Sequence, residues 1–374
     1  MKRSFSAVKR SFSAVATAMA LALSSALATA APVEVTDILN RKVKVDLPAK
    51  RVVLGFYYQD YMAVGGNKAL DNVVGFSKKV WSGWAPPSWE LFSKAVPKLN
   101  QLTDVGEVEE GTFSIEKVLA LKPDLLILAD WQYKALGSDL DKLKNANIPI
   151  VVLDYNAQTV AKHVQSTKLL GQLTRQTARA NQIANEYQAA VRQIQTRVQQ
   201  ARLPKPKVYV EFGRGGPAEQ GFTFSSSMWG PMIDLVGAQN VAPKSIGAWG
   251  AMTAEAVLAA KPDVVIMTGR ETELNKNREG MVLGFNIPKD EAQRRLNGFK
   301  ARAGWSALPA VKNNRVYGAY HANSRTMSDI ASVQFVAKAA YPTLFKDINP
   351  EKTYTDFYRK YLPVVPTGTL YLYP

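Results

Sequence analysis

Aromatic and cationic side chains gather where the apolar runs of this 374-residue sequence end. Tyr57 and Tyr58 follow Val52–Phe56, and Lys78, Trp81 and Trp84 follow Asn72–Phe76. Trp131 and Tyr133 close the run through Leu128, Arg214 follows Lys207–Phe212, and Arg270 follows the run through Met267. His321 and Arg325 come after Asn314–Tyr317, and Trp249 stands just ahead of the Arg270 segment. Ring faces and guanidinium forks together suit one kind of chemistry, the stacking and charge-assisted binding of an anionic ligand. Trp81, Trp84 and Trp89, three rings within nine residues, either pack on their own domain or turn toward such a ligand. Catalysis finds less support. There is no Gly-x-Ser-x-Gly elbow, His-Glu-x-x-His pair or cysteine nucleophile, and Ser225-Ser226-Ser227 has no evident base. The turn Gly213-Arg214-Gly215-Gly216-Pro217 lacks the Gly-Lys-Ser/Thr ending of a phosphate loop.

The apolar runs are short and continuous, as in strands buried on both faces, and helical patterns separate them. In an open parallel sheet the residues just past the strand ends face the ligand crevice, which is where these aromatics and arginines fall. A repeat strengthens the reading. Ser114–Leu128 (SIEKVLALKPDLLIL) and Thr253–Met267 (TAEAVLAAKPDVVIM) match at Glu116/Glu255, Val118/Val257, Leu119/Leu258, Ala120/Ala259, Lys122/Lys261, Pro123/Pro262, Asp124/Asp263 and Ile127/Ile266. Each copy predicts a short helix, a Lys-Pro-Asp turn that Pro prevents from continuing as helix, and a buried strand. The two copies imply two similar α/β lobes. Between them, Gln172–Leu203 contains neither Gly nor Pro and ends at Pro204. Ile183, Tyr187, Ala190, Val191, Ile194, Val198 and Ala201 recur at helical spacing, predicting a long helix capped by Thr174. This interlobe helix would be rigid, and Glu186 is the only acid between Asn156 and Leu203.

The expected organisation is a leader over 1–30, an α/β lobe over 31–155, a helical spine over 156–203 and a second α/β lobe over 204–374. Within the first lobe, Val33–Val35 and Val43–Val45 predict an opening hairpin, and Ser77–Trp89 is expected as a loop. In the second, residues 271–288 are expected as an irregular surface loop. The leader has basic Lys2, Arg3, Lys9 and Arg10, an apolar stretch through Leu23 and a small-x-small site at Ala28-Thr29-Ala30. A membrane anchor is the rival, but the apolar run is short for a bilayer span of about 20 residues. Cleavage near Ala30 removes four basic and no acidic residues, leaving 344 residues and lowering +16 to +12. The chain has no cysteine, so a soluble exported protein without disulfides or a lipid anchor on cysteine is expected, placed in the periplasm. The positive charge is scattered and no RNA- or DNA-binding motif accompanies it, so nucleic acid is not an expected partner.

These features resemble the solute-binding proteins of ABC importers for ferric siderophores, haem and cobalamin. The resemblance covers nearly all of the chain after the leader and rests on the paired repeat, the AKRVV strand opening, NANIPIVVL before the spine, WSALPAVKNNRVYGA and Tyr341–Asp347. It implies two Rossmann-like lobes with mainly parallel sheets, a long rigid helix between them, a ligand cleft, no enzymatic activity, no intrinsic cofactor and a monomer. The implied ligand is an iron complex, a ferric siderophore before haem, cobalamin or an oxyanion such as molybdate. The implied ligand-binding residues are Tyr57, Tyr58, Lys78, Trp81, Trp84, Trp131, Tyr133, Arg214, Trp249, Arg270, His321 and Arg325. Relatives that bind bare metal use several His and carboxylate ligands; here the histidines are His163, expected on a helix surface, and His321. The implied partner is a membrane permease, docked by Glu116 and Glu255, one from each lobe. A secreted enzyme or an adhesion module would be the reading from a different class; the first lacks a catalytic motif, and the second does not readily explain the duplicated α/β segments.

Overall fold

A computed structural model describes residues 31–374. The expected leader lies outside the described residues. The predicted opening hairpin pairs β1 (Ala31–Thr36) with β2 (Lys42–Leu47), antiparallel across the turn at Asn40. Five parallel strands follow in the first lobe: β3 (Val52–Leu54), β4 (Val73–Phe76), β5 (Thr103–Asp104), β6 (Leu125–Ala129) and β7 (Ile150–Leu153). Their order is β5-β4-β3-β6-β7, so the winding reverses between β3 and β6. In a sheet of this kind that reversal opens a crevice beyond the strand ends.

The second sheet is built on β8 (Lys207–Phe212), β12 (Val264–Gly269) and β14 (Val316–Tyr320), all parallel. Strands β9 (Phe222–Phe224) and β11 (Trp249–Ala251) extend one side antiparallel, β10 (Gln239–Asn240) pairs with β8, and β16 (Tyr371–Leu372) closes the other edge. The expected surface loop over 271–288 is instead largely interior. Met281, Val282, Leu283, Phe285 and Ile287 are buried, and β13 (Gly284–Phe285) pairs with β15 (Gly368–Thr369) from the far end of the chain. That pairing is non-local and leaves no local periodicity to read.

The repeat is a register device. Ser114 and Thr253 each cap their helix by accepting from the backbone N–H three residues on. Lys122 and Lys261 both take positive φ before Pro, ending the helix. Asp124 then accepts from the backbone of Lys50 and Arg51, and Asp263 from that of Lys207. Each carboxylate therefore fixes the start of the strand beside its own, β3 in one lobe and β8 in the other.

The spine is shorter than expected and has a partner. Its helix runs Thr177–Ala201, about 37 Å at 1.5 Å per residue, after an antiparallel helix Val160–Leu173. Thr174 does not cap it: Arg175 takes φ 57°, and the Thr174 hydroxyl donates back to Leu170 O, closing the earlier helix. A Cβ on Gly171 would lie 2.3 Å from that of Ala180, so the hairpin packs tightly because residue 171 is glycine. The predicted stripe is buried through Ile183, Tyr187, Val191 and Ile194. One end of the helix is tied to the first lobe by Arg179 Nε donating to Ala63 O, 2.7 Å, and the other to the second lobe by the Arg197–Asp347 ion pair, 2.7 Å. No helix among the described residues is long and apolar enough to cross a membrane.

Candidate functional site

Past the carboxyl ends of the second-lobe strands lies a cleft of about 770 Å³, walled on its other side by the first lobe. Strand β8 ends in Phe212 and leads to Arg214, β12 leads to Arg270, and β14 leads to His321 and Arg325. The first lobe contributes Trp84 from the helix Lys78–Trp84, Glu109 and Glu110 from a loop, and Asn156 just past β7.

Arg270 and Arg325 define the chemistry. The Arg270 guanidinium carbon lies 4.8 Å from the Phe212 ring centre and 5.7 Å from that of Trp84. That of Arg325 lies 4.7 Å from Phe56 and 5.3 Å from Trp84. Two second-lobe cations thus meet one first-lobe indole, whose N–H donates to Glu110 at 3.0 Å. Among the described residues neither arginine forms an ion pair, and the buried Arg270 Nε has no hydrogen-bond partner. Burial, and then the charge of Arg325, push the Arg270 pKa down to about 10. His321 lies flat on Phe212 at 4.1 Å and shares a 3.0 Å hydrogen bond between Nδ1 and the Thr268 hydroxyl. Burial and the two arginines hold its pKa well below the usual value, so the ring is neutral. Carboxylates are present as well. Glu109, Glu110 and Glu219 stand exposed at the mouth, and Glu273 is buried in the wall near Arg270.

Of the residues expected at the ligand, Trp84, Arg214, Trp249, Arg270, His321 and Arg325 line this cleft. The others stand elsewhere. Tyr57 is buried, its hydroxyl 3.3 Å from Asn156 Oδ1 and from the Tyr155 N–H. Tyr58 packs in the core against Trp81 and Phe92. Trp81 and Trp131 both pack on Phe56, and Trp81 donates to the Phe56 carbonyl. Lys78 ties down the carbonyls of Asn100 and Leu102, and Tyr133 lies under Arg41 on the opposite face of the first sheet. The expected Ser77–Trp89 loop is two helices, Lys78–Trp84 and Pro86–Ala95, the second started by proline; the first packs Trp81 on Phe56 and leaves Trp84 lining the cleft. His163 is helical but not on the surface: it is buried, stacked on Tyr187 at 4.5 Å, with Nε2 3.2 Å from Tyr155 O.

Phe212, Phe222 and Phe224 also line the cleft; Phe212 ends an apolar run and reads as core, while Phe222 and Phe224 stand in the polar stretch Gln220–Ser227, where no apolar run marks a strand. Glu116 and Glu255 lie in the first turns of the helices Ile115–Ala120 and Ala254–Ala260, both exposed.

The chain is 23% identical over 321 residues to the uncharacterized ABC transporter substrate-binding lipoprotein YvrC of Bacillus subtilis, covering 84% of this chain and 88% of that one. Its fold superposes on the crystal structure of the TroA-like periplasmic binding protein FepB of Veillonella parvula with a TM-score of 0.84 and 32% identity, over 91% of this chain and 99% of that one. The molybdate-bound protein MolA of Haemophilus influenzae shares the fold at TM-score 0.66 and 18% identity, over 90% and 99% of the two chains. Residues 56–321, which hold four of the five first-lobe strands, the spine and most of the cleft, match the family described as periplasmic binding protein, and the chain belongs to that family of ABC-transporter substrate-binding proteins.

Proposed function

We propose that this protein captures an anionic metal chelate, a ferric siderophore by class, between its lobes and hands it to a membrane permease. One observation carries the reading: Arg270 and Arg325 converge across the cleft on Trp84, held half-buried with no ion-pair partner among the described residues. Burying cations without a direct ion-pair partner is costly, and an anionic ligand offsets that cost in a way solvent inside the cleft cannot. The partly exposed indoles of Trp84 and Trp249 give a conjugated chelate surfaces to stack on. Among the described residues no group of three or more His, Cys, Asp or Glu is placed to hold a metal ion, so a metal cargo must enter with its own ligands. Size separates this reading from a bare oxyanion, which would leave most of 770 Å³ to water. The carboxylates at the mouth suit a chelate whose periphery donates hydrogen bonds.

Quenching of tryptophan fluorescence tests the ligand class, because Trp84 lies in the cleft. Titration with a ferric tris-catecholate is expected to saturate at one equivalent and to bind more tightly than molybdate or haemin. Tighter binding of either of the other two would overturn the assignment.

Delivery to the permease rests on Glu116 and Glu255. In each helix the carboxylate complements the positive end, a contribution of about 0.3–1 kcal/mol. Both are exposed at equivalent places of the two repeat copies, which gives a pseudo-twofold permease one acidic mark per lobe on an otherwise basic protein. The double variant Glu116→Gln/Glu255→Gln is expected to keep its fold and ligand affinity and to lose most uptake in cells supplied with limiting ligand. Uptake at the wild-type rate would reduce both glutamates to helix-end charges.

A further inference from the structure

The segment Tyr320–Asp329 belongs to the second lobe and carries Arg325, yet it is held from the first. On one side of Arg325 the Gln158 amide donates to Ser324 O. On the other, Asp60 Oδ1 accepts from both the Thr326 hydroxyl and the Met327 N–H, each at 2.8 Å. Asp60 sits in the first turn of the helix Tyr58–Gly65, is 4% exposed and forms no ion pair among the described residues. A carboxylate with no cation, aimed at the two residues that follow the ligand arm, is an expensive way to close a core.

We propose that Asp60 is a positioning residue of the cleft, a latch that holds the Arg325 segment across the lobe boundary and so fixes where that guanidinium meets the ligand. The functional part of this inference rests on reading Arg325 as a ligand arm; the latch itself does not.

The surroundings make the latch sensitive to pH. Burial pushes the Asp60 carboxyl up to about 6, against the partial relief of its two donors. Charge on Asp60 is felt by Tyr57, Tyr58 and Tyr155 of its own lobe and by Tyr358 from the helix Pro350–Tyr361, all held neutral by burial. From the segment itself it faces Asp329, whose pKa burial raises well above the usual range, and Arg325, which acts on the adjacent Tyr57. His163, 3.4 Å from Asp329, is lowered to about 3 by burial and stays neutral. A value near 6 places the titration of Asp60, the carboxyl that accepts from Thr326 and Met327, between pH 5 and 7. The sign follows from linkage. Released to solvent, the carboxyl returns toward its ordinary value, so a bound proton favours the latched form, and opening should be about tenfold rarer at pH 5 than at pH 7. Glu271, pushed up to about 7 by burial and close to Tyr320, titrates in the same window and serves as the control.

Hydrogen exchange of the amides Thr326–Asp329, corrected for the intrinsic pH dependence, reads the latch without any ligand. The wild-type chain is expected to show the tenfold difference. Asp60→Asn, which keeps an acceptor oxygen, should keep the protection and lose the pH dependence, while Asp60→Ala should exchange faster at both pH values. Glu271→Gln should behave as wild type. Should Asp60→Ala fail to fold, Asp60→Asn decides alone. Unchanged exchange in Asp60→Ala, a pH dependence that survives in Asp60→Asn, or its disappearance in Glu271→Gln would each overturn the latch. Because no ligand enters the measurement, its failure is distinct from failure of the chelate assignment.

Discussion

Replacing Arg270 and Arg325 together by Met is expected to weaken capture of a ferric tris-catecholate by roughly a hundredfold or more while leaving the protein at least as stable as before. Each charged hydrogen bond to an anionic ligand contributes about 1.5–3 kcal/mol, and about 1.4 kcal/mol is a factor of ten in affinity. Methionine keeps an apolar stem against Phe212, Phe56 and Trp84, so the loss measures charge rather than packing. The stability half of the expectation comes from the two cations themselves. Arg270 is pushed down to about 10, below its usual value, by burial first and by Arg325 second. A base with a depressed folded-state pKa costs stability wherever it is protonated, which here is everywhere below about pH 10, and removing it removes that cost. Affinity lost with an unchanged or raised thermal midpoint is the signature of a site held against its own stability. Affinity within threefold of wild type would remove the arginines from the ligand.

Glu211→Gln is expected to act in the opposite direction, on stability far more than on ligand chemistry. Glu211 and Arg302 form a buried bidentate pair, with bonds of 2.7 and 2.8 Å and side chains 0% and 4% exposed. The Tyr209 hydroxyl and the Gly221 N–H also donate to Glu211. Arg302 donates in turn to Pro217 O and Glu219 O, pinning the turn that carries Arg214 to the mouth of the cleft. Breaking a buried pair leaves an uncompensated charge, a loss of about 3–5 kcal/mol. For a chain of this size that lowers the thermal midpoint by roughly 4–7 °C. Replacing both partners by apolar residues, as in Glu211→Met/Arg302→Met, should recover much of the loss, since no orphan charge remains. A midpoint for Glu211→Gln equal to wild type would contradict the proposed weight of the pair.

These two expectations draw on parts of the molecule that the sequence revealed unequally. The strands, the repeat and the second-lobe arginines were legible because each depends on local order: an apolar run, a Lys-Pro-Asp turn, and a cation placed just past a strand end. Arg214, Arg270, His321 and Arg325 reach the cleft because β8, β12 and β14 run parallel and end side by side. The first-lobe aromatics were harder to place. Trp81 and Trp84 are three residues apart on one helix, and only its docking on Phe56 decides which ring enters the core and which faces the arginines. Tyr57 and Tyr58 have ligand-like chemistry but are consumed by packing and by Asn156 and Gln59. What no local pattern could show is the matter between the lobes. Asp60, Asp329 and His163 are far apart in sequence, and a lone acid gives no local sign that it will be buried against another domain. The break at Arg175 was likewise hidden, because a non-glycine residue took the left-handed turn.

The most direct test of the chelate-binding claim is native mass spectrometry of the protein taken from its own cellular compartment, read together with the visible absorption spectrum of the same sample. Binding of a ferric siderophore predicts one additional mass, that of an organic chelate plus one iron, and a broad ligand-to-metal charge-transfer band that disappears with the added mass in Arg270→Met/Arg325→Met. A Soret band, a corrinoid spectrum, or an added mass that fits a lone oxyanion would contradict it.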